Sequence, residues 1–189
     1  MRGYRLFSLL PLLSGSLAAT FTSCTDSQIA TLEIAIERAT NKSFAAIEHL
    51  EDNPNGSEIQ TTWYGAFSTE RYNRILTAFK KFAPDLATTF RYDCACVSSA
   101  VIATIGGTYG DVRICSVYFD ETVVPPGGHR SQWDTIVHEA THFRDVLRTV
   151  DNGYGVEACK QFALEDPEKA VETADCHARF AVEVPPFGP

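Results

Sequence analysis

The chain has no excess of positive charge. Its 189 residues carry 16 Lys and Arg against 24 Asp and Glu, for a net charge of −8 at pH 7. The cations nowhere gather into a basic patch, which argues against a nucleic-acid partner. Long apolar runs are missing too. The Leu6–Leu13 run is too short to span a bilayer, and no other stretch is apolar enough for a membrane helix. Internal repeats and interdomain linkers are absent, so a repeat array and a multidomain layout are both disfavoured. What remains is an ordinary globular composition, 44% hydrophobic and 21% charged, in a chain long enough to bury one core of its own.

The first 19 residues have the layout of a secretory signal. Arg2 and Arg5 precede the apolar centre Leu6–Leu13, and Ser14-Gly15-Ser16-Leu17-Ala18-Ala19 supplies a small-residue exit. Cleavage after Ala19 would start the mature chain at Thr20, in a secreted, extracellular protein. The six cysteines, Cys24, Cys94, Cys96, Cys115, Cys159 and Cys176, all follow that segment. An even count in an oxidising compartment implies disulfides, and six cysteines allow 15 pairings. Asn41-Lys42-Ser43 and Asn55-Gly56-Ser57 match the N-glycosylation acceptor pattern.

Periodicity outlines the elements. Ile29, Leu32, Ile36, Ile47 and Leu50 predict a helix over about 27–51, with Asp26 as its cap. Trp63, Tyr64 and Phe67 read as an aromatic cluster in a turn or short strand. A second helix follows over about 69–82, ended by Pro84. The segments 97–105 and 112–119 are β-rich in composition, separated by Gly106-Gly107 and Gly110-Asp111. After a Pro- and Gly-rich loop at 123–130, which contains a lone His129, another helix starts at Ser131 or Gln132. Two further helices are expected at about 156–165 and 167–181, before a loose tail at 185–189.

The helix after Ser131 carries His138-Glu139-Ala140-Thr141-His142. Histidines four residues apart share one helical face, where both imidazoles can bind one Zn²⁺. Glu139 points off that axis and is placed to act on a water at the metal as general base. The flanking Trp133, Ile136, Val137, Ala140 and Val146 are apolar, so the imidazoles share an inner face and need partners. The third ligand is not where many zinc proteases have it. Those with a third His place a glycine three residues after the second His and the third His three residues further on; here Asp145 and Arg148 occupy those positions. Glu157 and Glu165 remain candidates on a later helix.

The stretch Arg148-Thr149-Val150-Asp151-Asn152-Gly153-Tyr154-Gly155 resembles the G-T-x-D-x-x-Y-G motif of the aspzincin, or deuterolysin, metallopeptidases. Thr149, Asp151, Tyr154 and Gly155 match, and Arg148 stands in for the leading glycine. The chain is most similar to the fungal peptidyl-Lys metalloendopeptidase branch, also through Thr61-Thr62-Trp63-Tyr64-Gly65, Asp93-Cys94-Ala95-Cys96 and Asp166-Pro167-Glu168-Lys169-Ala170-Val171. The resemblance covers nearly all of 20–189 and implies a single zincin-like metallopeptidase domain there. Its fold class would be α+β: helix-rich, with a small, mainly antiparallel sheet and three disulfides, Cys24–Cys94, Cys96–Cys115 and, as the remaining pair, Cys159–Cys176.

The resemblance also implies a site. One catalytic Zn²⁺ would be held by His138, His142 and Asp151, with Glu139 as general base and Tyr154 donating to the developing oxyanion. Substrates would be proteins or peptides, cut by a monomeric secreted enzyme with no membrane or nucleic-acid partner. Lysine-selective relatives use two acidic residues on the last helix. Asp175 matches the first, but Ala178 replaces the second, a glutamate, so a relaxed preference for Lys after the cut is expected. Two competing readings share these residues. A secreted, non-catalytic effector or binding protein on the same fold would show a lost ligand or base. A zinc hydrolase of a non-peptide bond would use the same chemistry.

Overall fold

The computed structural model describes residues 18–120 and 131–186. Most of the expected signal segment, His129 and the last residues of the tail lie outside the described residues. In chain order the elements are β1 (Thr20–Thr22), α1 (Asp26–Asp52), α2 (Glu58–Tyr64), α3 (Thr69–Phe82), β2 (Arg91–Cys96), β3 (Ala103–Ile105), β4 (Asp111–Cys115), a 3-10 turn (Ser116–Asp120), α4 (Gln132–His142), α5 (Gly155–Glu165), α6 (Pro167–Val171) and α7 (Ala174–Glu183).

Helix α4 lies at the centre. It packs on α1, α7 and β3, and Gln132–Thr141 are all buried. Several of its polar groups are satisfied locally: Gln132 Nε2 donates to the Tyr118 carbonyl, the Tyr118 hydroxyl donates back to the Gln132 carbonyl, and Thr135 Oγ1 donates to Ser131 O. These bonds offset the cost of placing a polar helix in a core built from Leu32, Ile36, Leu50, Phe79, Phe82, Ile136 and Phe180.

Three local expectations are corrected. Thr25, not Asp26, caps α1, in a reciprocal box with Gln28. Trp63 and Tyr64 belong to a helix, α2, started by Ser57, whose hydroxyl accepts the Gln60 N–H. Gly65 ends α2 at φ +74°, where a Cβ would stand 2.3 Å from the Ala163 carbonyl; only glycine allows that approach to α5. The last helix is broken in two. Thr173 leaves it to form a parallel bridge with Val150, with Val150 N–H donating to Glu172 O and Ala174 N–H to Val150 O.

The sheet is mixed rather than mainly antiparallel. Its order is β1-β2-β4-β3; β1–β2 and β2–β4 are parallel, and only β3–β4 is antiparallel. Composition marks a segment as extended but carries no strand direction, whereas the three helices between β1 and β2 make a parallel crossover possible. The strand expected over 97–105 narrows to Ala103–Ile105, and the one over 112–119 ends in the 3-10 turn. Strand β3 is the sheet edge beside α4.

The three disulfides are Cys24–Cys94, Cys96–Cys115 and Cys159–Cys176. The first two tie the sheet strands together and the third joins α5 to α7. Each bridge is worth about 2–4 kcal/mol, mainly through the unfolded chain. Reduction should therefore lower the melting temperature strongly by circular dichroism. Non-reducing peptide mapping should return these pairs; free thiols, or Cys94 linked to Cys115, would refute them.

Candidate active site

The site begins at the start of α4. Ser131 and Asp134 cap each other, Asp134 Oδ1 accepting the Ser131 N–H at 2.8 Å and Ser131 Oγ accepting the Asp134 N–H at 3.3 Å. From that fixed start, Asp134, His138 and His142 fall one turn apart on one face. The helix stops after His142, at the C-cap Phe143. The chain then folds back on itself. Arg148 N–H donates to Phe143 O, Thr149 N–H donates to Thr141 O, and the Thr141 and Thr149 hydroxyls bond at 2.8 Å. Arg148 lies at φ +55°, the left-handed conformation that suits a glycine. The turn thus keeps its glycine geometry with an arginine in it, at a cost of about 1–2 kcal/mol.

This hairpin swings Asp151 over the two histidines. Asp151 Oδ1 lies 3.0 Å from His138 Nε2 and 3.4 Å from His142 Nε2, and the two nitrogens are 3.1 Å apart. Ligand atoms about 2.0–2.1 Å from a tetrahedral ion stand about 3.3–3.4 Å apart, so the triangle fits one small metal ion. Among the described residues this is the group able to hold a metal. Glu157 and Glu165 are exposed on α5 and do not join it. The donor set, two imidazoles and a carboxylate, suits zinc.

Partners behind the ligands fix their tautomers and charge. His142 Nδ1 lies 2.8 Å from the Thr149 carbonyl, a contact that protonates Nδ1 and turns the Nε2 lone pair to the metal. His138 Nδ1 faces Asp175 Oδ1 at 3.7 Å. Burial works against a charged His138, but Asp151, Asp175 and Glu139 outweigh it and hold its pKa up at about 9. Hydrogen bonding to His138 draws Asp151 down to about 2. The cluster is built to receive a cation, and a divalent ion competes with the proton for the same atoms.

Glu139 is buried and lines a cavity of about 220 Å³ beside the ligands. Tyr154 caps α5, is 54% exposed, stacks on His138 with ring centroids 6.0 Å apart, and hydrogen-bonds Asp151. Asp175, 2% exposed, reaches the cavity from α7; its Oδ2 accepts the Gly155 N–H at 2.6 Å and lies 3.5 Å from Arg179 Nε. Gly155, at φ +86°, supplies the backbone turn that makes that contact possible. Ala178 does not come into the cleft. It is 1% exposed and absent from the cavity wall, because the side of α7 that carries it packs into the core. Besides the metal-site carboxylates Glu139 and Asp151, the carboxylate that shares the cavity with Asp175 is Asp134, from a different helix. The sequence reading passed over Asp134 and Arg179. The usable signals were helical spacing: Asp134 is four residues before His138, and Arg179 four after Asp175.

Comparison with known proteins agrees with this geometry. The aspzincin M35 family, described as lysine-specific metallo-endopeptidase, matches residues 49–182. A peptidyl-Lys metalloendopeptidase of Pleurotus ostreatus is 29% identical over 168 residues, covering 88% of this chain and 98% of that protein. An extracellular protease of Aeromonas hydrophila is 31% identical over 164 residues, covering 86% of this chain and 46% of that protein. The chain likewise spans about half, 47%, of the Armillaria mellea peptidyl-Lys metalloendopeptidase. The solved zinc peptidase of Grifola frondosa superposes with a TM-score of 0.77 at 28% identity, covering 84% of this chain and 96% of that one. The chain belongs to the aspzincin family of zinc metallo-endopeptidases.

Proposed function

We propose that the chain is a secreted, monomeric endopeptidase whose single zinc ion is held by His138, His142 and Asp151. The observation that carries this reading is the triangle of ligand atoms with Glu139 beside it, in a cleft bordered by the edge strand β3. Bound zinc would supply Lewis acidity toward a scissile carbonyl and toward water. Glu139 takes the proton of the attacking water and passes it to the leaving amine. Its near-complete burial keeps that transfer away from bulk solvent. Tyr154, at the cleft's open side, turns its hydroxyl from Asp151 to the oxygen on which charge develops. The outer edge of β3, last in the sheet, accepts an extended peptide through main-chain hydrogen bonds.

Secretion is supported by the three disulfides, by the signal-like first 19 residues and by the relative named as an extracellular protease. No helix among the described residues is long and apolar enough to cross a membrane. A non-catalytic role would be marked by a missing ligand or base, and the site lacks neither. Cleavage before Lys is expected with relaxed selectivity, supported by the relatives named for peptidyl-Lys bonds and by Asp175 at the cavity.

Purified protein incubated with a denatured protein should produce internal cuts that a chelator abolishes. Mass spectrometry should find Lys enriched, but not exclusive, after the cut. A substrate left intact after long incubation with zinc-loaded protein would overturn the enzyme reading.

A further inference from the structure

The cavity beside the metal ligands has an unusual charge arrangement on its inner wall. Asp134 enters from α4 and Asp175 from α7, and both line the space that Ala100–Thr104 also line. Behind them lies Arg179, 3% exposed and not part of the cavity wall. Its terminal nitrogen Nη2 is 3.1 Å from Asp134 Oδ2, and its Nε is 3.5 Å from Asp175 Oδ2. The other oxygen of Asp134 accepts the Ser131 amide, and Asp175 also accepts the Gly155 amide. Two carboxylates thus flank a side-chain-sized space, with one permanent guanidinium set between them from the core side. Apart from the metal-site carboxylates Asp151 and Glu139, which line the same cavity, this Asp134–Arg179–Asp175 group carries a net single negative charge where two acidic groups stand.

The direction of the bound chain decides which substrate residue meets that wall. Strand β3 runs from this cavity, at Ala103 and Thr104, toward a second one that begins at Ile105 and Gly106. A peptide added to this edge in the antiparallel sense, the more stable pairing, has its C-terminal half at Asp134 and Asp175. The residue just after the cut is therefore the one that reads the wall.

We infer that Arg179 is a specificity-determining residue: an internal counter-cation that cancels one of the two carboxylates it pairs with on the cavity's inner wall, Asp134 and Asp175, and so weakens the preference for a basic side chain after the cut. The inference rests on the endopeptidase reading above. A substrate ammonium and the Arg179 guanidinium compete for the same two acceptors. With Arg179 in place, a lysine finds one net charge to pair with instead of two, and an uncharged residue of similar length meets a wall already compensated from behind.

The test compares two peptides that differ only in the residue after the cut, Lys in one and norleucine in the other. The readout is the Lys-to-norleucine ratio of kcat/KM, which loss of folded enzyme does not change. Arg179→Met should raise the ratio by about tenfold, because both carboxylates then face the substrate. Asp134→Asn keeps an acceptor for the Ser131 amide but removes the surplus charge, and should lower the ratio by about tenfold. If the Arg179 ion pairs serve only to join α4 to α7, both variants slow both peptides alike. An unchanged ratio in Asp134→Asn overturns the inference even if Arg179→Met does not fold. The endopeptidase reading fails separately, if the unaltered protein shows no chelator-sensitive cleavage of either peptide.

Discussion

Replacing Glu139 with Gln should leave the zinc content of the protein unchanged and lower its turnover by about 10²–10⁴-fold. The side chain is 5% exposed and sits in the cleft next to His138, but it is not one of the three converging metal-binding atoms. Glutamine preserves its size and hydrogen-bonding reach while removing the basic oxygen. Two measurements separate the roles: metal analysis after extensive dialysis, and kcat/KM on a quenched peptide. Full zinc with activity lost is the expected pair of results. Digestion at the unaltered rate would sink the mechanism, and loss of both zinc and activity would make Glu139 a ligand instead of a base.

Asp151→Ala should strip the metal, whereas Glu157→Ala and Glu165→Ala should not. Asp151 contributes the only carboxylate oxygen of the triangle, 3.0 and 3.4 Å from the two histidine nitrogens. Without it, two imidazoles remain, and the cluster loses the negative charge that makes a cation welcome. Removing partners behind a ligand costs about 10–100-fold in metal affinity, and removal of a ligand itself should cost more. Zinc titration against a competing chelator would measure the difference. A Glu165→Ala protein that lost zinc while Asp151→Ala kept it would assign the third ligand to α5.

Much of the site was legible because it is local. His138, Glu139 and His142 sit at helical spacing within a single turn, and that spacing holds in α4 whatever surrounds it. Thr149, Asp151 and Tyr154 occupy a short motif whose hairpin closes on Thr141, eight residues back from Thr149, so the third ligand could be sought nearby. Helices α1 and α3 emerged for the same reason, since their apolar periodicity repeats over many residues. Helix α2 was harder to see. Its seven residues give less than two full turns of pattern, and the aromatic pair Trp63 and Tyr64 favours a strand by propensity alone.

By itself, then, the sequence determined what is written at short range: a metal pair, its neighbouring base, the cysteine count and the longer amphipathic helices. The tertiary structure decided what depends on which elements meet. It made the sheet mixed, because strand direction follows from the helices threaded between β1 and β2. It broke the last helix at Thr173, because the backbone there pairs with Val150 in the ligand loop. It took Ala178 out of the cleft and put Asp134 in, and it set Arg179 between Asp134 and Asp175. Arg179 and Asp134 are 45 residues apart in the chain, and no local pattern links them. They pair because α4 and α7 pack together in the interior, where a buried charge must find its counter-ion wherever the fold places one.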